Sequence, residues 1–146
     1  MIYLGADHGG FKFKDKIKQF LDEFGEKYED LGNTKFEPRD DFTDYAFEVA
    51  KKIKKGGGKG ILICTNGLGM CVAANKLKGI RAVNATSKKV AAQSREHLDA
   101  NVLCLGAHVV SFKNAKKIIK TWLETDFFRK ERYVRRLDKI RKIERE

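Results

Sequence analysis

Five short apolar runs, at residues 1–5, 27–31, 60–64, 80–84 and 101–105, alternate with segments whose apolar residues recur at helical spacing. Phe13, Ile17, Phe20, Leu21 and Phe24 mark one such segment, and Ala46, Val49, Ala50 and Ile53 a second. Phe112, Ala115, Ile118, Ile119, Trp122 and Leu123 mark a third, and each set presents one apolar stripe. Strand followed by helix, five times over, leaves few folds open. Right-handed crossovers return the chain in one direction, which builds a parallel sheet with helices on both faces and sets every strand's carboxyl end on one rim. No repeat, low-complexity stretch or long linker divides the chain, so residues 1–146 are expected to form one α/β domain.

One strand end on that rim stands out. Gly60-Ile-Leu-Ile-Cys64 runs into Thr65-Asn66-Gly67-Leu68-Gly69, a glycine-bearing turn that opens an apparent helix. A side chain there faces the crevice in which open α/β sheets bind ligands, and the N–H groups of the turn can hold an anion. Most cysteines only pack. Cys104, inside Val102-Leu-Cys-Leu, and Cys71, one turn into the next helix, suit that role, whereas Cys64 borders a glycine turn and is the first candidate for a reactive group. Strand one ends in Gly5-Ala-Asp7-His8-Gly-Gly, which brings an acid and an imidazole to the same rim beside two glycines that let backbone approach a ligand. His97, in His97-Leu-Asp99-Ala-Asn101 at the end of a helix, would reach the rim only by a favourable loop path.

Charge and composition exclude several classes. The formal charge is +11, and residues 129–146 hold nine Lys/Arg against four Asp/Glu. A basic helix is predicted over about 127–144, with Arg132, Arg136 and Lys139 on one face and Tyr133, Val134, Leu137 and Ile140 on another. Aromatics are not interleaved with the basic residues as a stacking platform requires, so no nucleic-acid partner is expected; basic residues equally hold a phosphorylated small molecule. No apolar run has the length of a membrane span, Met1-Ile-Tyr-Leu-Gly5 enters a strand without a basic leader, and the three cysteines lack C-x-x-C spacing. A cytoplasmic protein with no membrane association is expected. Neither a Walker A nor a full G-x-G-x-x-G is present, and three histidines far apart in sequence give little support to a metal site.

Several motifs in order carry a resemblance across residues 1 to about 140: Gly5-Ala-Asp7-His8-Gly-Gly-Phe, Asp30-Leu-Gly, Asp44-Tyr-Ala, Gly60-Ile-Leu-Ile-Cys64, Gly67-Leu-Gly69-Met, Ala73-Ala-Asn75-Lys-Leu-Lys-Gly-Ile-Arg81-Ala, Arg95-Glu-His97 and Asp99-Ala-Asn101-Val-Leu. Together they resemble the type B ribose-5-phosphate isomerases and their sugar-phosphate isomerase relatives. The resemblance implies a Rossmann-like three-layer α/β/α sandwich with a five-stranded parallel sheet, a homodimer or a pair of such dimers, and no metal or organic cofactor. It implies interconversion of ribose 5-phosphate and ribulose 5-phosphate through an enediolate, with Cys64 as base and His97 opening the sugar ring. Asp7, His8, Phe42, Gly67, Gly69, Asn101 and His108 would line the substrate site. Arg132 and Arg136, one helical turn apart, would grip the phosphate across the dimer.

The chain departs from the family pattern around that site. Thr65-Asn66 stands where Gly-Thr is usual, so a hydroxyl beside the base becomes an amide, which donates a hydrogen bond but does not relay a proton. Leu98 stands where an asparagine is common, His108 where an arginine is, Phe42-Thr43 where Tyr-Pro is, and Tyr133 where a histidine is. Such changes bear on which sugar phosphate is accepted. A different pentose or hexose phosphate, or a binding protein with impaired catalysis, are the alternatives the altered loop leaves open.

Overall fold

The computed structural model describes residues 1–146. Five strands and six helices follow in the order β1 (Ile2–Ala6), α1 (Phe11–Phe24), β2 (Tyr28–Asp30), α2 (Phe42–Gly56), β3 (Lys59–Cys64), α3 (Leu68–Ala74), β4 (Ala82–Asn84), α4 (Lys88–Leu98), β5 (Val102–Gly106), α5 (Phe112–Glu124) and α6 (Glu131–Glu144). All strand pairs are parallel, in the order β2-β1-β3-β5-β4. The structure is thus an α/β/α sandwich, as the alternation predicts.

Side chains alternate across the sheet and define two cores. Ile61 and Ile63 of β3, with Leu4 of β1 and Leu103 and Leu105 of β5, pack under Ile17 and Leu21 of α1, Ala91 of α4 and Ile118, Ile119 and Trp122 of α5. Leu62 and Cys64, with Val102 and Cys104, pack under Val49 and Ile53 of α2 and Met70 and Ala74 of α3. The central strands are buried on both faces, which is why they read as continuous apolar runs. Ser87 and Ser111 start α4 and α5 by accepting the N–H groups of Val90 at 3.2 Å and Asn114 at 3.1 Å.

After β1 the chain turns to the α1 face and after β3 to the α3 face, although these strands are neighbours. Such a switch point opens a crevice at the strand ends. Close approach there requires Gly10, where a Cβ would collide with the Ile63 carbonyl.

Some sequence expectations shift. β4 is shorter than residues 80–84 because the Arg81 N–H donates to the Asn101 side chain at 2.7 Å. The last helix starts at Glu131, not near 127, because the chain is extended at Thr125 and Lys130 and the Phe128 N–H is held by the Glu96 carbonyl at 2.9 Å. Its apolar face is only partly covered: Leu137 is buried, but Val134 and Ile140 remain 38% and 40% exposed. No helix is long and apolar enough to cross a membrane.

Candidate active site

Cys64 closes the central strand and is almost buried. Its Sγ accepts the N–H of Gly67 at 3.1 Å, which aims a helix-start donor at the sulfur. Gly67 has φ of 79°, and a Cβ on it would lie 3.0 Å from the Leu105 carbonyl carbon, so the turn requires glycine there. The Leu68 N–H is taken by Asn66 Oδ1 at 3.0 Å, and the Asn66 carbonyl accepts from Asn84 Nδ2 at 3.1 Å. Of the turn N–H groups expected to face a substrate oxygen, Gly67 is thus turned to the thiol and Leu68 to Asn66. The cause is local: an asparagine side chain readily bonds backbone two residues on. The Phe42 ring packs directly over Gly69 at the start of α3.

At the end of β1, Asp7 is 6% exposed, and its Oδ1 accepts the Gly9 N–H at 2.9 Å. Burial pushes the Asp7 carboxyl above its ordinary range. His8 projects further out and meets Asp40, whose Oδ1 lies 2.8 Å from the ring Nδ1 and 3.0 Å from the His8 backbone nitrogen. Asn33 Nδ2 donates to the other Asp40 oxygen at 3.1 Å. The carboxylate raises the His8 pKa; burial alone would raise Asp40, but the bonds from His8 and Tyr45 bring it below its ordinary value. Tyr45 is pushed up to about 12 by burial and by the same carboxylate. Sequence reasoning misses Asp40, because the segment between β2 and α2 carries no periodic signal to place it.

The loop after β5 completes the rim. Ala107 and His108 N–H groups donate to the carbonyls of Cys64 at 2.9 Å and Thr65 at 3.0 Å, which carries His108 beside the thiol's loop. His8, Lys12, Phe36, Thr65 and His108 help line a pocket of about 450 Å³. Asp7, His8 and Asp40 place potential metal-ligand atoms within 4.8 Å of one another, a grouping the spread of histidines hides. Two of those carboxylate oxygens already accept hydrogen bonds, and the three are accounted for as a polar network.

Two expected site residues lie elsewhere. His97 is in the last turn of α4, which leads into the amino end of β5, whereas Cys64 pairs with Gly106 at its carboxyl end. Five strand residues separate the two levels by roughly 15 Å. The loop path His97 would need is therefore absent within one chain. Asn101 is at the same lower end, its amide committed to the Arg81 N–H at 2.7 Å and the Gly79 carbonyl at 2.8 Å; it fastens the start of β5 to that of β4 and lines no part of the rim. His97 instead belongs to a groove of about 430 Å³ with Val90, Leu98, Tyr133 and Arg136. Its ring stacks on Tyr133, and the Arg132 guanidinium lies 4.6 Å from the opposite partner of that stack, the Tyr133 ring centroid.

The sequence profile of the ribose/galactose isomerases matches residues 2–140. This chain belongs to the ribose/galactose isomerase family. A probable ribose-5-phosphate isomerase B of Mycoplasma genitalium is 42% identical over 147 residues, covering 99% of this chain and 96% of the relative. A ribose-5-phosphate isomerase B structure from Clostridium thermocellum superposes with a TM-score of 0.94 at 41% identity, covering 99% of this chain and 97% of that one. The Mycoplasma genitalium enzyme, solved with bound ribulose-5-phosphate, also gives 0.94 at 41% identity, covering 99% and 96%. The three-layer α/β fold is thus shared over almost the whole chain.

Proposed function

We propose that this protein interconverts ribose 5-phosphate and ribulose 5-phosphate, with Cys64 as the base that moves a proton between C2 and C1. The observation that carries this reading, within the family just given, is the placement of the Cys64 thiol: last on the central strand, bonded to the Gly67 N–H, and one residue from the pocket that holds His8 and His108. As thiolate, Cys64 takes the C2 proton; the C2–H electrons form the C1–C2 double bond and the carbonyl electrons move to O1, giving the enediolate. Transfer of the O2 proton to O1, with the O2–H electrons forming the C2 carbonyl as the C1–C2 double bond takes the returned proton at C1, gives the ketose and restores the thiolate. Asp7 and His8 hold substrate oxygens beside it.

A complete site then requires two chains. Cys64 and His97 sit at opposite ends of the sheet, so His97 of the partner subunit would open the ring, and Arg132 and Arg136 of the partner subunit would reach the phosphate. The exposed Leu68 and Val72 on α3, and Val134, Ile140 and Ile143 on α6, are apolar surface that such a dimer would cover.

A coupled assay over a panel of pentose and hexose phosphates tests the reading. Cys64→Ala should keep sugar-phosphate binding and lose roughly 10²-fold to 10⁴-fold in turnover. An inactive parent across the panel, or a Cys64→Ala protein with near-normal turnover, overturns it. One observation favours a second reading. Asn66 ties up the Leu68 N–H, which suits a substrate other than ribose 5-phosphate. If so, another sugar phosphate gives the higher kcat/KM, and Asn66→Thr with Thr65→Gly raises activity on ribose 5-phosphate.

A further inference from the structure

Helix α1 carries lysines at 12, 14, 16 and 18, and the fold gives the two i, i+4 pairs different fates. Lys14, buried, and Lys18 both bond Asp30, at 2.7 Å and 3.1 Å. Asp15, placed between the two pairs on the helix, adds to the field at Lys14 and Lys18. Lys12 and Lys16, one turn apart on the other side of the helix, have no carboxylate partner and line the rim pocket together with His8 and His108. Like charges at this spacing oppose helix formation. Every ionisable side chain lining the pocket is basic, the first turn of α1 has no acidic residue, and Thr65, next to Cys64, forms part of the wall. A pocket of this charge, within a few ångströms of the base, fits a dianion at the end of a short polar substrate.

We propose that Lys12 and Lys16 hold the phosphate of the substrate, from the same chain that supplies Cys64. The inference rests on the isomerase reading for its substrate. Its chemistry is that of a phosphate dianion met from two sides: two lysines and His8 from one chain, and the arginines of α6 from the other. The lysines supply cationic charge on the wall where His108 stands in place of the family's common arginine.

The test uses the full-length protein with Lys12→Gln, Lys16→Gln, the double variant and the conservative Lys12→Arg. Lys55→Gln, an exposed lysine in the last turn of α2, serves as the control. All three sites are exposed, and melting midpoints verify that folding is unchanged. Two quantities are read: KM and kcat for the best sugar phosphate of the panel, and direct binding of inorganic phosphate by calorimetry. The double variant should raise KM and weaken phosphate binding by about tenfold or more, while kcat changes by less than about threefold and Lys12→Arg stays near the parent. The unphosphorylated sugar should be turned over equally by parent and variant. Unchanged KM and unchanged phosphate affinity in the double variant would overturn the proposal and return these lysines to the solvated surface. A parent without isomerase activity sinks the isomerase reading, yet the phosphate titration still decides the role of the lysines.

Discussion

The imidazole of His97 lies stacked on the phenol ring of Tyr133, with centroids 4.8 Å apart and planes 27° from parallel. Arg132 donates to the Tyr133 hydroxyl at 3.1 Å and covers the same ring. The last turn of α4 and the first turn of α6 therefore present an imidazole and the Arg132 guanidinium as one unit held by aromatic contact, with Arg136 lining the same groove. That unit sits at the opposite end of the sheet from Cys64.

Subunit mixing follows from this separation. A Cys64→Ala protein and an Arg132→Ala/Arg136→Ala protein should each be poor; loss of one charge-assisted phosphate contact costs about 1.5 to 3 kcal/mol, or roughly ten-fold to a hundred-fold in binding. In a two-fold heterodimer both lesions fall in one pocket and the other is intact, so random re-pairing of equal amounts should restore about a quarter of parental sites. Activity after exchange, with heterodimers counted by native mass spectrometry, checks this. Heterodimers without activity would remove the α6 arginines from the site.

Alkylation must separate two thiols. Cys71 is partly exposed, and its contact with Cys104 lowers its pKa to about 7, although burial opposes the shift. Iodoacetamide near pH 7 should therefore modify Cys71 as well as Cys64. In a Cys71→Ala background, inactivation should persist and saturating sugar phosphate should slow it. If Cys71→Ala abolishes inactivation, the reactive thiol is not the base.

The His8–Asp40 pair sets a pH window. Hydrogen bonding to Asp40 raises His8 above 6.5, so its contribution to stability is complete below that value and is lost as pH rises through the raised one. Asp40 is lowered below 3.8, so its share is present above 3.8 and disappears as pH falls through the lowered value. The pair should act fully between about pH 4 and 6.5 and modestly, since His8 is 40% exposed. Asp40→Asn should return the His8 ring titration, followed by NMR, towards 6.5. An unmoved His8 titration would mean that the carboxylate does not control the ring.

Much of the architecture is legible in residue order because its signals are local. The 3.6-residue stripes of α1, α2 and α5 and the doubly buried runs of β3 and β5 report periodicities that a short segment expresses by itself. Cys64 is likewise marked by its neighbours, an apolar run before it and a glycine turn after. Lys12 and Lys16 escape notice because a lysine on an amphipathic helix reads as solvated surface until the opposite wall is known. The α6 boundary is misjudged because the Glu96 carbonyl that holds Phe128 extended is remote in sequence.

The sequence by itself determined the alternation of strands and helices, the rim position of Cys64 and the shared face of Arg132 and Arg136, all consequences of spacing along one element. Only the tertiary structure decided that β1 lies beside β3, which brings His8 to the thiol's loop, and that Asp40 closes on His8. It also put His97 and Asn101 at the far end of the sheet. Strand order and loop paths depend on how two apolar layers cover one sheet, a sum over contacts between distant residues, and no local period encodes that sum.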